Sequence, residues 1–120
     1  MGSTRAVSLH GRAVSVSVSY IPFQFPGVEN VRCAFQVRAA IPGGTYRSGY
    51  DGGNISFSTE DDPDIVTGNR RDLLAALQPH GLTAWAELNQ VHGDVLLFEP
   101  EAVACETRPT ADGDGMAVSR

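Results

Sequence analysis

One histidine stands in the segment of the sequence that is best suited to chemistry, residues 87–94. His92 follows the apolar run 82–88, precedes the apolar run 95–98 and is followed at once by Gly93. Both runs have the composition of strands, and the glycine permits a tight bend between them. An imidazole at such a strand end can face a shared pocket as a metal ligand or a base. The alternative is a histidine that only forms hydrogen bonds at the rim of the fold.

Composition and charge describe an ordinary globular chain. Its 120 residues suffice for one domain with a buried core, and 42 % of them are hydrophobic and 19 % charged. The chain has nine basic and 14 acidic residues, so its net charge is -5. It contains no run of basic residues that could bind along a phosphate backbone. We therefore expect no nucleic-acid partner. We also expect no membrane span, since no apolar run approaches about 18 residues, and two isolated cysteines favour the cytoplasm.

The first third of the chain predicts two strands. Residues 1–12 are small and polar without periodicity, so we expect a flexible lead-in before a single domain over 13–120. Valine and serine alternate up to Tyr20, which predicts a half-buried strand over 13–20. Residues 31–37 predict a second strand, in which Cys33 is a small buried hydrophobic residue rather than a reactive thiol.

A glycine-rich loop follows the second strand. Residues 39–53 contain five glycines, with Tyr46 and Tyr50 between them. Such a loop lets backbone amides approach a ligand closely, but it lacks the Gly-x-x-x-x-Gly-Lys-Ser/Thr spacing of a phosphate loop. A ligand-binding loop and a plain surface loop are both compatible with this pattern.

One helix is predicted between Asp62 and Gln78. Asp62 is a suitable N-cap, Pro63 suits the first turn, and Pro79 and Gly81 end the helix. The four-residue spacing of apolar residues defines the buried stripe of this helix, and two polar residues fall within it; the stripe comprises Ile65, Asn69, Leu73 and Leu77, with Val66, Arg70 and Leu74 alongside.

The two polar residues of this stripe need partners. A buried amide or guanidinium without a partner costs about 1 to 3 kcal/mol. We therefore predict that Asn69 and Arg70 bond a neighbouring loop, either to brace the glycine-rich loop or to contact a ligand. Gly68 costs stability inside a helix, which predicts close packing against another element.

An acidic turn closes the sequence. Asp112 and Asp114 resemble the opening of a calcium loop, but a loop of about 12 residues begun at Asp112 would need its closing glutamate beyond Arg120. A simple turn is predicted over 111–115.

These segments together resemble the N-terminal half of the YfiH-like proteins, also called the laccase-domain or multicopper polyphenol oxidase family and often described as purine nucleoside phosphorylases. The matching pieces follow one another over residues 31–118 in the order and spacing of the family. They are Arg38 at a strand end, Gly43-Gly44 leading to Tyr50-Asp51-Gly52-Gly53-Asn54, Asp61-Asp62-Pro63 followed by Asn69-Arg70-Arg71, Gln90-Val91-His92-Gly93, and the acidic turn.

The resemblance implies a fold and a function. The fold is α+β, the N-terminal part of an α/β/β/α sandwich similar to a cysteine-histidine hydrolase. The implied site holds zinc through His92, a cysteine of an Ala-Asp-Cys segment and a histidine of a His-Ala-Gly-Trp-Arg-Gly segment, while Arg38, Asn54 and Gln90 line the substrate pocket. The implied activity is phosphorolysis of adenosine, inosine, guanosine or methylthioadenosine, with adenosine deamination. Copper-dependent phenol oxidation is the older assignment.

The sequence also departs from the family pattern. Neither Ala-Asp-Cys nor His-Ala-Gly-Trp occurs in it, and Cys33 and Cys105 do not occupy motif positions, so two of the three implied zinc ligands are missing. Tyr46 stands where serine is frequent, and Ser58 where many members have histidine.

Three hypotheses follow from these departures. The chain is part of a phosphorylase completed by another chain that supplies the C-terminal half, or a non-catalytic binding module. The third hypothesis is a copper-dependent phenol oxidase. It ranks last because one motif histidine cannot build a multicopper centre.

Overall fold

The computed structural model describes residues 4–5, 18–40, 44, 46 and 49–119 of the chain. Most of the predicted lead-in and residues 13–17 of the first predicted strand lie outside the described residues. The chain divides into two compact units, Met1–Leu82 and Thr83–Arg120.

The first unit contains a three-stranded antiparallel sheet. Its strands are β1 (Thr4–Arg5), β2 (Ser19–Phe23) and β3 (Cys33–Val37), in the order β1-β2-β3. In the register of the central pair, Ser19 lies opposite Val37 and Phe23 opposite Cys33. The second predicted strand is thus confirmed, and the first continues to Phe23, beyond its predicted end at Tyr20.

Buried apolar side chains of this unit come from β2 and the residue before it, from the residues after β3 and from the helix: Val18, Tyr20, Ala39, Val66 and Leu73. Cys33 does not join them. It is only half-buried, because it lines a cavity of about 210 Å³ together with Phe23 and Leu77. The prediction that Cys33 is a small buried hydrophobic residue is therefore wrong as to its burial.

Helix α1 spans Pro63–Leu77, as the capping residues predict. The Asp62 carboxylate accepts a hydrogen bond from the backbone N–H of Asp64 at 2.9 Å and so satisfies a donor at the helix start. A 3₁₀ turn, Gln78–His80, follows, and Gly81 ends it in the left-handed conformation with φ 88°. Because only glycine adopts that conformation at little cost, Gly81 sets the end of the helical segment.

The buried face of α1 is rotated relative to the prediction. Ile65 is 39 % exposed, and the buried residues are Val66, Asn69, Arg70 and Leu73. The two polar side chains lie at the centre of this face because both donate to backbone carbonyls. The packing against another element predicted at Gly68 is wrong for the described residues, since no atom of another element among them lies within 4 Å of a Cβ built there.

The second unit contains two parallel strands, β4 (Leu96–Phe98) and β5 (Gly115–Ala117). The apolar run 82–88 does not form the predicted strand. In the described chain, Trp85 is the only residue of this run with a β-bridge partner, Val103. An apolar run can extend as a strand only where a second backbone supplies donors and acceptors along its length.

Over the part of the chain that the structure describes, two small sheets and one α-helix form a mixed α+β structure. This content agrees with the N-terminal part of an α/β/β/α sandwich and confirms the predicted fold class. Among the described residues there is no helix of the length and apolar character needed to cross a bilayer.

Candidate functional site

A cleft of about 280 Å³ opens beside the end of β3 in the first unit. Two backbone segments form it: the last residues of β3 with the position that follows, and the end of the glycine-rich loop. The lining residues are Gln36, Val37, Arg38, Gly49, Tyr50, Asp51, Gly52, Gly53 and Asn54. The cleft therefore brings together two of the predicted substrate-binding residues, Arg38 and Asn54.

Arg38 is held by contacts on either side of its guanidinium. Its Nε donates to the carbonyl of Asp51 at 2.8 Å, and its Cζ lies 3.4 Å from the centre of the Tyr46 ring. The Tyr46 hydroxyl in turn donates to the carbonyl of Ala39 at 3.1 Å. Tyr46, a departure from the family pattern, thus supplies a cation–π contact that orients the arginine.

Gly52 makes this arrangement possible. Its φ is +103°, and a Cβ at this position would lie 2.5 Å from Cγ of Arg38 and 3.0 Å from the carbonyl oxygen of Ala39. The Gly52 carbonyl also accepts a bond from the N–H of Ala39 at 2.7 Å. A side chain here would displace the arginine, so the position requires glycine for both conformation and space.

Helix α1 braces the segment that leaves the glycine-rich loop. Asn69 Nδ2 donates to the carbonyl of Asn54 at 2.8 Å, and Arg70 Nε donates to that of Ile55 at 2.7 Å. The Arg70 guanidinium also lies over the ring of Phe57, 4.3 Å from its centre. These bonds confirm that both polar residues of the buried face have partners on a neighbouring loop and brace it.

The side chain of Asn54 closes a local turn. Its Nδ2 donates to Thr59 Oγ1 at 2.8 Å and to Asp61 Oδ2 at 3.2 Å, while its Oδ1 accepts from the N–H of Ser56 at 3.0 Å. A substrate that bonded this amide would have to replace one of these contacts. The substrate role of Asn54 stays a prediction.

Gln90 and His92 belong to the second unit. Both are exposed, and His92 and Gly93 form the bend that the sequence predicts. His92 has a positive φ of 59°, and its imidazole makes no hydrogen bond to any described residue. The imidazole is therefore accessible, and the roles of His92 and Gln90 toward zinc and substrate stay predictions.

The sequence did not predict that the Asp114 side chain contacts the His92 segment. Its Oδ1 accepts from the N–H groups of Val91 at 3.1 Å and His92 at 2.7 Å, and its Oδ2 accepts from that of Gly93 at 2.6 Å. Of the simple turn predicted over 111–115, the structure has bends at Ala111 and Asp114, while Asp112 forms an isolated bridge with Asn89 and Gly115 begins β5. No pattern in the sequence links this carboxylate to a segment 22 positions earlier.

The motifs that build the cleft and the His92 bend are those of a known family. A family model described as multi-copper polyphenol oxidoreductase laccase matches residues 32–120. The chain belongs to this family. The match covers the arginine of the cleft, helix α1, the bend at His92 and the acidic turn, as the resemblance implied. No curated protein and no solved structure matches the chain significantly.

The name of the laccase family implies a metal, so the residues that could ligate one matter here. The described residues contain no group of three His, Cys, Asp or Glu side chains that could hold a metal ion. Cys105 is buried, with its Sγ 3.6 Å from Glu106 Oε1. Because a catalytic zinc takes three protein ligands and a multicopper centre takes more, the described residues fit neither metal by themselves.

Proposed function

We propose that this member of the laccase family contributes part of a purine nucleoside phosphorylase site. The observation that carries the proposal is the cleft, which gathers Arg38 and Asn54 against a glycine-rich backbone. Its volume of about 280 Å³ is close to the lower end of the range for small-molecule pockets, roughly 300 Å³. The guanidinium that lines it is suited to a phosphate, because its planar donors can bond two oxygens at once.

The reaction needs such an anion site. In phosphorolysis a phosphate oxygen forms a bond to C1′ of the ribose while the bond from C1′ to the purine nitrogen breaks. The base leaves with the electron pair and takes a proton, and ribose 1-phosphate is the other product. In a chain of net charge -5, a local cation has to attract the phosphate, and Arg38 is the cation of the cleft.

The proposal covers adenosine, inosine, guanosine and methylthioadenosine as one class. All four present a purine and a ribose ring, and the contacts of the cleft do not separate them. Gln90 is proposed as a further substrate-binding residue of the completed enzyme. His92 would act as a zinc ligand only where a further cysteine and histidine are supplied from outside the described residues, as by another chain, and adenosine deamination would need the same completed site.

A second candidate is a non-catalytic module that binds a nucleoside or phosphate without cleaving it. The lack of a three-ligand group among the described residues favours it. Copper-dependent phenol oxidation is a third candidate, and it is supported by the family's description as multi-copper polyphenol oxidoreductases.

The test is base release from adenosine and phosphate, with the chain alone and mixed with a polypeptide that carries the Ala-Asp-Cys and His-Ala-Gly-Trp segments. We expect adenine and ribose 1-phosphate from the mixture, with zinc bound stoichiometrically. Arg38→Gln should raise the KM for phosphate about tenfold or more, because it removes a charged donor. Arg32→Gln is the matched control: Arg32 is exposed and lines the cavity beside Cys33, so the KM should not change.

Each competing function has its own outcome. Adenosine or phosphate binding by calorimetry without base release in the mixture would favour the non-catalytic module. Oxygen uptake with a phenol that depends on added copper would favour the oxidase. Base release with an equal KM for phosphate in both arginine variants would leave the activity standing and contradict the role of Arg38.

A further inference from the structure

We infer that Asp114 is a positioning residue that fixes the backbone of His92 and thereby the direction of its imidazole. The inference rests on the proposed function only for the use that the site makes of that imidazole. The conformational role itself rests on contacts within the second unit.

Three consecutive backbone N–H groups converge on this one carboxylate. The distances from the nitrogens of Val91, His92 and Gly93 to the carboxylate oxygens are 3.1, 2.7 and 2.6 Å. Hydrogen bonds to an ionised acceptor are roughly twice as strong as those between neutral groups. All three donors belong to exposed residues, so the carboxylate replaces exchanging water with a fixed acceptor.

The conformation held in this way is one that His92 does not adopt at low cost. Its φ of 59° lies in the left-handed region, which is disfavoured for a residue with a Cβ. Bonds on both sides of His92 offset that cost. Glycine at position 93 leaves room for the carboxylate. A Cβ there would lie 3.3 Å from Asp114 Oδ2, which is tighter than most contacts of a Cβ.

Asp114 is itself fixed by backbone bonds. Its N–H donates to the carbonyl of Val95 at 3.0 Å, and the N–H of Gly113 donates to that of Asn89 at 2.9 Å. The N–H of Asn89 in turn donates to the carbonyl of Ala111 at 2.8 Å. The carboxylate therefore starts from a backbone that is tied to the chain before and after His92.

A change in this backbone must move the imidazole. The rotamers open to a side chain depend on φ and ψ, so a histidine released to negative φ points its ring elsewhere. A displacement of about 1 Å at a reacting group can lower a rate about 100-fold. The structure thus assigns to Asp114 an effect on turnover that requires no contact with substrate.

The conformational test compares native protein with Asp114→Asn by NMR. Asparagine keeps the shape but turns an N–H₂ group toward backbone donors that need an acceptor. We expect the amides of residues 91–93 to exchange about tenfold or more faster. We also expect loss of the strong amide-to-Hα cross-peak within His92 that marks a left-handed residue.

Asp112→Asn is the matched control. It makes the same change of charge two positions earlier, at an exposed side chain with no hydrogen bond to the described residues. Both readouts should stay native in this variant. A native cross-peak and native exchange in Asp114→Asn would overturn the inference.

A variant that fails to fold does not remove the test. In native protein the amides of residues 91–93 should exchange slowly although their residues are exposed, and rapid exchange at all three would overturn the inference.

Activity separates this inference from the proposed function. In the mixture that releases adenine, Asp114→Asn should lower kcat about tenfold or more and leave the KM for phosphate within about twofold. His92→Ala should abolish release. If His92→Ala abolishes release but Asp114→Asn behaves like Asp112→Asn, the positioning role is wrong and the proposed function stands. If the mixture releases no adenine at all, the proposed function fails, and the NMR measurements still decide the role of Asp114.

Discussion

Asn69→Ala tests the brace between helix α1 and the candidate cleft. Asn69 is 5 % exposed, and its amide donates to the carbonyl of Asn54 at 2.8 Å. Removal of the amide leaves that carbonyl without this donor, at a cost of about 1 to 3 kcal/mol. Alanine favours a helix over asparagine by up to about 0.7 kcal/mol, which offsets part of the loss. The net decrease in the free energy of unfolding should be about 0.5 to 2.5 kcal/mol.

Thermal unfolding followed by circular dichroism measures this change. At about 4 °C per kcal/mol for a chain of this size, Tm should fall by about 2 to 10 °C. Thr67→Ala is the matched control, because it makes a similar gain in helix propensity at a side chain with no hydrogen bond to the described residues. Its Tm should be unchanged or slightly higher. Equal Tm values for the two variants would show that the bond of Asn69 contributes no stability and that the brace is not an energetic one.

Two other positions give sharp comparisons. Gly52→Ala should lower the free energy of unfolding by about 1 to 3 kcal/mol, since φ is +103° and the new Cβ would meet Arg38 and Ala39. Gly49→Ala in the same loop, with no described atom within 4 Å, should change it little, and equal denaturation midpoints in urea would contradict the steric argument. Asp62→Ala should lower the free energy of unfolding by about 1 kcal/mol, because the N-cap bond from Asp64 is lost. Asp62→Asn should retain most of that stabilisation, and an equal loss in both variants would show that the charge of Asp62, not its hydrogen bond, stabilises the helix.

The helix and its bracing could be predicted because local chemistry determines them. Asp62, Pro63 and Gly81 act on the backbone within a few residues of themselves, so their effect can be recognised in the sequence without knowledge of the fold. The partners of Asn69 and Arg70 could be predicted as a class, a neighbouring loop, because buried polar groups require partners. The rotation of the helix face could not be predicted, since it depends on where those carbonyls lie.

The second unit shows what local patterns do not contain. The apolar run 82–88 has the composition of a strand, but composition does not say whether a second backbone lies beside it, and only Trp85 has one in the described chain. Asp114 likewise has an unremarkable position in an acidic turn, and its importance comes from donors 21 to 23 positions earlier. Both cases depend on pairing at long range, which a single sequence does not encode in any short pattern.

The two candidate regions share one physical design. In the cleft, the backbone near Gly52 is fixed by bonds from Arg38 and from the helix residue Asn69; at the bend, the backbone of His92 is fixed by Asp114. Side chains on regular or tied segments thus hold irregular backbone. Hydrophobic burial contributes little there, because residues 49–54 and 90–94 carry few apolar side chains. Substitutions of these three polar side chains should therefore change local exchange and activity at least as strongly as global stability, whereas substitutions of the buried apolar residues should change chiefly stability.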